Sequence, residues 1–234
     1  MDCRLYRQGI VLFVLCVATQ SQQTLWAQTA AQWRDSLKVL NKAIATQPWS
    51  TDLHLRKAAV NLELKQWQYA IDEYGEVLQH EAQNPAALFY RAYASTQLRH
   101  YDMARRDYEE LLHIFPRHPE ARLSLAYVLQ LMGRKTEALD ELNVLVEQRP
   151  DSAVAYVARA ALEEELKQDE AALYDWQQAI RLEPQNADYV ASRVALLLRL
   201  KRKSEAIREM DDAVQRGIPR GMFHQWYERA RSKK

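Results

Sequence analysis

Residues 85–118 read PAALFYRAYASTQLRHYDMARRDYEELLHIFPRH, and the spacing of their small residues and proline decides the fold. Ala104 belongs to a column that recurs every 34 residues: Ala70, Ala104, Ala138, Ala172 and Ala206. A repeat of this length marks an architecture in which each repeat is one supersecondary unit. The chain therefore divides into five rows: 51–84, 85–118, 119–152, 153–186 and 187–220.

Each row predicts two helices joined by a short turn. In the third row Leu125 and Leu129 share one helical face, and the same spacing resumes at Ala138 and Leu142 after the turn at Gly133. Small residues at the marker positions allow close helix approach, and large apolar residues fill the space to the next hairpin.

The row ends predict where helices start and stop. Pro116, Pro150 and Pro184 break the second helix of their rows. Pro85 and Pro119 occupy a first helical position, where a missing N–H is tolerated. The side chains expected to cap the first helices are Ser50, Asn84, Ser152 and Asn186.

The rows resemble tetratricopeptide repeats. Residues 87–93 and 101–108, closing at Pro116, match the family pattern closely, and the resemblance covers residues about 31–220. It implies an all-α fold, a right-handed α-solenoid of about five stacked helical hairpins with terminal half-units. The fifth row departs most, with Val194 at the small position. The family's early tryptophan is replaced by His54, Leu88, Arg122, Tyr156 and Val190.

The ends of the chain differ from the rows. Residues 28–50 predict an N-terminal half-repeat helix, and residues 221–234 predict a short C-terminal capping helix. Such half-units cover the apolar faces that a stack exposes at its ends. Together with the five rows of residues 51–220 they are expected to form a single repeat domain.

The first 27 residues have the layout of a secretory signal peptide. Arg4 and Arg7 precede an apolar run from Ile10 to Ala18, and a polar stretch leads to Ala27. Cleavage is expected after Ala27, with Ala18 as the alternative, so the protein is expected to be exported to the periplasm or envelope of a bacterium. A buried helix or membrane anchor is disfavoured because the run is far shorter than the ~20 residues that span a bilayer.

Both cysteines, Cys3 and Cys16, lie in that segment, so the mature chain has no disulfide and no thiolate metal ligand. Lipid attachment at Cys16 is disfavoured by the bulky Leu15 before it. The formal net charge of +1 falls to zero once residues 1–27 are removed. A neutral chain has no general attraction for nucleic acid or an anionic membrane, and no stable membrane span is expected after cleavage.

No pattern points to catalysis, a metal or a cofactor. The chain lacks the glycine-rich phosphate loops and the nucleophile-elbow motif, and its six histidines are scattered. Glu163, Glu164 and Glu165 are interpreted as a solvated helix end because consecutive helical positions point in different directions. The run from Lys201 to Lys203 is interpreted as a solvated turn in preference to a partner patch. The protein is therefore not expected to be an enzyme.

The resemblance implies a concave groove lined by one stripe of the first helices. The partner-binding residues expected there are Phe89, Tyr90, Tyr93, Gln97, Leu123, Tyr127, Gln130 and Glu164. Aromatic rings beside amides suit an extended peptide or a helix. The alternative is that Phe89 and Tyr93 only pack against adjacent hairpins. The family's cationic clamp for a terminal carboxylate is not evident, since Arg56 alone is basic in its column.

Two functions are compatible with these patterns. The favoured hypothesis is a non-catalytic protein–protein interaction scaffold of the cell envelope that binds a partner protein or peptide in the groove. The alternative is a structural subunit of an envelope or secretion complex, held through its terminal helices and convex face.

Overall fold

The computed structural model describes residues 30–231, which are almost entirely helical. This range contains twelve α-helices and one short 3₁₀ helix, and no β-strand. The all-α fold of consecutive helical hairpins is thus confirmed. The expected signal peptide, residues 1–27, and the last residues 232–234 lie outside the described range.

The described residues divide into two compact units, with the chain boundary between Arg134 and Lys135. The helices of the first unit are α1 (Ala30–Thr46), α2 (Thr51–Glu63), α3 (Trp67–His80), α4 (Pro85–Gln97), α5 (Tyr101–Ile114) and α6 (Pro119–Leu131). The boundary between the units falls inside the third row. Repeats contact only their neighbours, so no long-range core ties the rows together.

The helices of the second unit are α7 (Lys135–Gln148), α8 (Ala153–Glu165), α9 (Asp169–Leu182), α10 (Ala187–Arg199), α11 (Lys203–Gln215), the 3₁₀ helix (Arg220–Phe223) and α12 (His224–Arg231). Helices α8 and α9 form one hairpin, and α10 and α11 form the next. The 3₁₀ helix and α12 pack at the end of this unit, where Phe223 is fully buried and α12 contacts α10 and α11.

In the first unit, α2 pairs with α3 and α4 pairs with α5. Helix α4 also contacts α6, so the first helices of rows two and three are direct neighbours. Ala58 and Ala70, from the small-residue columns, have no exposed surface and lie in one cluster with Tyr74. These residues of the small-residue columns are therefore buried between packed helices.

All four expected capping side chains accept a hydrogen bond from a backbone N–H at a helix start: Ser50, Asn84, Ser152 and Asn186. Helices α4 and α6 begin at Pro85 and Pro119, as expected. In the third row His118 supplies the cap, its Nδ1 accepting from the N–H of Ala121 at 3.2 Å. The sequence did not predict this cap because histidine is not among the usual capping residues.

The turn within each row uses one backbone conformation. The fifteenth residue of every row has a positive φ, from 56° to 78°: Lys65, Arg99, Gly133, Lys167 and Lys201. Glycine adopts this left-handed conformation without steric cost, whereas a side chain raises its energy by about 1 kcal/mol. The positive φ thus recurs every 34 residues, even in rows where this residue is not glycine.

No helix within residues 30–231 is both long enough and apolar enough to cross a lipid bilayer.

Candidate functional site

Helix α4 carries three aromatic residues whose rings are held by neighbouring rings. Phe89 meets Tyr108 edge-on with centroids 5.7 Å apart, and lies nearly parallel to the imidazole of His118 at 5.6 Å. Phe89 also contacts Tyr90 edge-on at 5.2 Å. Contacts of this kind fix ring orientation and add to the energy of burial.

The other two rings are anchored from the preceding hairpin. Tyr90 stacks on the buried Tyr74 with centroids 6.1 Å apart, and Tyr93 meets Trp67 edge-on at 6.0 Å. Burial, with a smaller effect from Glu63, raises the pKa of Tyr93, so its phenol stays neutral. Phe89 and Tyr93 therefore do pack against neighbouring helices, as the alternative holds, but none of the three rings is fully buried.

The matching stripe of α6 adds polar and aromatic surface. Tyr127 and Gln130 are half-buried, and Gln97, at the end of α4, is exposed. Helices α4 and α6 are in contact, and we refer to these residues of the two helices as the aromatic face: Phe89, Tyr90, Tyr93, Gln97, Tyr127 and Gln130. Leu123 was expected on this surface, but it is 8% exposed and offers a partner almost no area.

Glu164, the eighth expected residue, belongs to the second unit and is engaged within it. Its carboxylate accepts a hydrogen bond from the indole Nε1 of Trp176 at 2.8 Å and lies 3.3 Å from the Arg199 guanidinium. Burial raises the pKa of this carboxyl, while Trp176 and Arg199 oppose the shift. Its contacts therefore link α8 to the helices that follow it.

Largely buried ion pairs recur at the same two row positions in hairpins of each unit, and this ion-pair column was not predicted from the sequence. The seventh residue of the row is basic and the twenty-third is acidic, so each pair joins the two helices of one hairpin. The pairs are Lys57 with Glu73, Arg91 with Asp107, Arg159 with Asp175, and Arg193 with Glu209. Opposite charges that recur in two of the 34-residue columns are the signal that could have revealed them.

Two of these pairs have the bidentate geometry that makes guanidinium–carboxylate contacts strong. Arg91 donates to both oxygens of Asp107 at 2.8 and 2.6 Å, and Arg159 donates to both oxygens of Asp175 at 2.6 and 2.9 Å. In the third row the basic position is the buried Leu125. The ion pair thus recurs in four of the five rows, and the third row forms its two helices without it.

Comparison with known proteins agrees with the repeat pattern. A family profile described as tetratricopeptide repeat matches residues 95–162. This chain contains tetratricopeptide repeats. No curated protein sequence matches the chain.

Solved tetratricopeptide repeat structures share the fold at low identity. MamA (41-end) from Desulfovibrio magneticus RS-1 is 21% identical, covers 70% of this chain and 93% of its own, and has a TM-score of 0.63. YrrB, titled a TPR protein with an unusual peptide-binding site, is 15% identical over 82% and 99% of the two chains, with a TM-score of 0.62. A repeat protein from Parabacteroides merdae ATCC 43184 is 19% identical over 86% and 79%, with a TM-score of 0.58.

Glu163, the first residue of the acidic run 163–165 in the fourth row, does not have the environment expected from the sequence. Glu163 was interpreted as part of a solvated helix end, yet it is only 6% exposed. Its Oε1 lies 3.9 Å from Nε of Arg159, which is already paired with Asp175, and its Oε2 is buried without a hydrogen-bond partner. Burial, reinforced by the charge of Asp175, raises the pKa of Glu163 to about 7. Helical spacing places Glu163 one turn after Arg159, on the face that meets α9.

We expect Glu163→Gln to stabilise the protein in a pH-dependent manner. The folded chain keeps this proton to a higher pH than the unfolded chain, so the stability of the native protein falls as the pH rises from about 4.5 to about 7. The amide cannot ionise. The variant should match the native protein near pH 4.5 and exceed its free energy of unfolding by on the order of 1–3 kcal/mol at about pH 8.

Urea titrations followed by circular dichroism at both pH values measure this difference. Glu147→Gln, at an exposed position of α7, is the matched control and should show no pH-dependent gain. Equal behaviour of the two variants would contradict the claim that burial disfavours the Glu163 carboxylate in the folded chain.

Arg202, in the basic run of the last repeat, pairs with Glu170 at 2.8 Å and with Glu205 at 2.6 Å, so it is not the freely solvated turn residue that was expected. Within residues 30–231 no three histidine, cysteine or carboxylate side chains are grouped as a metal site would require.

Proposed function

We propose that this protein is a non-catalytic interaction scaffold that binds a partner peptide or helix on the aromatic face. The observation that carries the proposal is that the partly exposed rings of Phe89, Tyr90 and Tyr93 each contact a buried or half-buried ring of a neighbouring helix or loop. A surface of this kind offers a partner large apolar area without the entropic cost of ordering side chains on binding.

The polar residues of the aromatic face support the same function. Gln97 and Gln130 provide amide donors and acceptors beside the rings, and neither brings a charge that a partner would have to neutralise. The structural neighbour YrrB is described as having a peptide-binding site, which makes peptide recognition by the repeats of this chain a consistent hypothesis.

We also propose that the scaffold acts outside the cytoplasm. Support comes from the basic start and apolar run of residues 1–27 and from a remainder without cysteine. Mass spectrometry of the N-terminal peptide of protein from its native cells should give Gln28 as the first residue, or Thr19 if cleavage follows Ala18. An intact Met1 would contradict export through a cleaved signal.

The binding hypothesis predicts the effect of removing two rings from the aromatic face. A peptide selected from a random phage-displayed library on residues 28–234 serves as the probe. Replacing both Tyr93 and Tyr127 with alanine should weaken its binding at least about tenfold, because truncated aromatic anchors commonly cost about 2 kcal/mol or more. Fluorescence anisotropy of the labelled peptide measures the dissociation constant.

Tyr69→Ala is the matched control. Tyr69 is 63% exposed on α3, the second helix of its hairpin, and its loss should leave peptide affinity unchanged. Because Tyr93 also packs on Trp67, circular dichroism and urea midpoints must show that the double variant is folded. A folded double variant with full affinity would favour the alternative, an assembly subunit held through its terminal helices.

A further inference from the structure

The end of the second unit concentrates positive charge in a chain that is otherwise balanced. Residues 220–234 contain Arg220, Arg229, Arg231, Lys233 and Lys234, with Glu228 as their single acidic residue, while the whole chain has a formal net charge of +1. All three arginines fall within the described range, and each lies over an aromatic ring.

Two of these guanidinium groups share one ring. The guanidinium carbon of Arg220 lies 4.6 Å from the ring centroid of Tyr227, and that of Arg231 lies 5.7 Å from the same centroid. Arg220, Tyr227 and Arg231, together with Gly221, His224 and Glu228, line a cavity of about 390 Å³. The two arginines therefore reach the same space from the 3₁₀ helix and from the end of α12.

The ring between them is rigid and uncharged. Tyr227 is 4% exposed, and its hydroxyl donates a hydrogen bond to Asp211 at 2.6 Å. Burial, with this hydrogen bond as the next cause, raises the pKa of Tyr227 to about 12, so the phenol does not neutralise the arginines at neutral pH. Cation–π contacts of this length hold a guanidinium in place while leaving its N–H groups available.

Neither arginine is neutralised by an acidic side chain in the described part of the chain. Within residues 30–231 the ion pairs formed by arginine do not include Arg220 or Arg231. Glu228 lines the cavity and offsets one charge, whereas Asp211 does not line it and accepts the hydrogen bond of the Tyr227 hydroxyl. The cavity thus holds an excess of positive charge with unused hydrogen-bond donors.

We propose that this cavity, the Arg220–Tyr227–Arg231 pocket, binds a phosphate group. Each guanidinium presents two parallel N–H donors that match a pair of phosphate oxygens, and a dianion balances two arginines better than a single carboxylate does. The free anion and the phosphoryl group of an ester offer the same oxygens. The site lies in the second unit and does not depend on the aromatic face.

Isothermal titration of residues 28–234 with inorganic phosphate and with O-phospho-L-serine, at low salt, tests the proposal. At least one probe should bind saturably with one site per chain, and the stronger of the two distinguishes a free anion from a phosphoester. Acetate is the comparison anion and should bind at least about tenfold more weakly.

Variants locate the site. Arg220→Gln and Arg231→Gln should each weaken phosphate binding about tenfold, while Arg229→Gln, on the same helix but outside the cavity lining, should change it less than about twofold. Glu228→Gln should tighten binding, because it removes the opposing charge. Circular dichroism checks that the variants are folded. If Arg220→Gln is unfolded, Arg220→Lys replaces it in the test. This variant keeps the charge but not the paired donors, so it should bind phosphate less tightly than the native chain.

Three results would each overturn the proposal. They are an absence of saturable binding by either probe, equal affinity for acetate, and an equal loss in Arg229→Gln and Arg220→Gln, which would indicate general attraction to a basic segment.

Discussion

Replacing Asp175 with alanine is expected to lower the free energy of unfolding by about 3–5 kcal/mol. Asp175 is 1% exposed and accepts two hydrogen bonds from Arg159. Its removal leaves the Arg159 guanidinium with one hydrogen bond to Asn143 at 3.1 Å and a 3.9 Å contact to Glu163, neither of which is bidentate. A buried charge that loses its partner costs far more than a neutral hydrogen bond does.

Urea titration of the purified chain measures the loss. Asp140→Ala, at an exposed position of α7, is the matched control and should change stability by less than about 0.5 kcal/mol. Replacing Arg159 and Asp175 together with leucine should recover part of the loss, because the buried guanidinium is then removed together with its partner. If Asp175→Ala were no more destabilised than Asp140→Ala, the ion-pair column would be irrelevant to stability.

Ala172→Leu is expected to destabilise the chain by about 1–3 kcal/mol. Ala172 has no exposed surface and lies in the core of the second unit with Trp176 and Val194. The additional carbon atoms of leucine at this position must displace a neighbouring helix or force strained rotamers. The expected cost follows from overpacking a site where two helices approach closely.

The adjacent Ala171→Leu is the matched control, since it makes the same chemical change on the same helix. Ala171 is exposed, so its replacement should alter the free energy of unfolding by less than about 0.5 kcal/mol. Equal urea midpoints for the two variants would contradict the assignment of the alanine column to close helix contacts.

The fold could be predicted because the 34-residue period repeats the same physical requirement in every row. A small residue is needed wherever two helices meet, and Ala70, Ala172 and Ala206 meet that need in different rows with no exposed surface. A capping oxygen is needed at each helix start, and Asn84 supplies it with a 3.0 Å bond from the N–H of Ala87. Each requirement fixes the residue type at one position of the row, so the sequence pattern reveals it.

The candidate site was less predictable because helical spacing identifies a face of one helix and not what covers it. Leu123 and Tyr127 lie on the same stripe of α6, yet Leu123 is buried and Tyr127 is half-buried. Glu163 resembles its neighbour Glu165 in sequence, but the first is buried and the second exposed. The spacing alone could not distinguish them, because exposure depends on contacts made by other helices.

The most direct test of the proposed function is site-specific photo-crosslinking in the native cells. A benzophenone amino acid is placed at Gln97, on the aromatic face, and at Tyr69, as the control position on a second helix. We expect one discrete crosslinked protein from Gln97 and none from Tyr69, and this product should be lost when Tyr93 and Tyr127 are replaced by alanine in a variant that remains folded. Crosslinks that form equally from both positions, or that persist in the folded double variant, would contradict the claim that the aromatic face binds the partner.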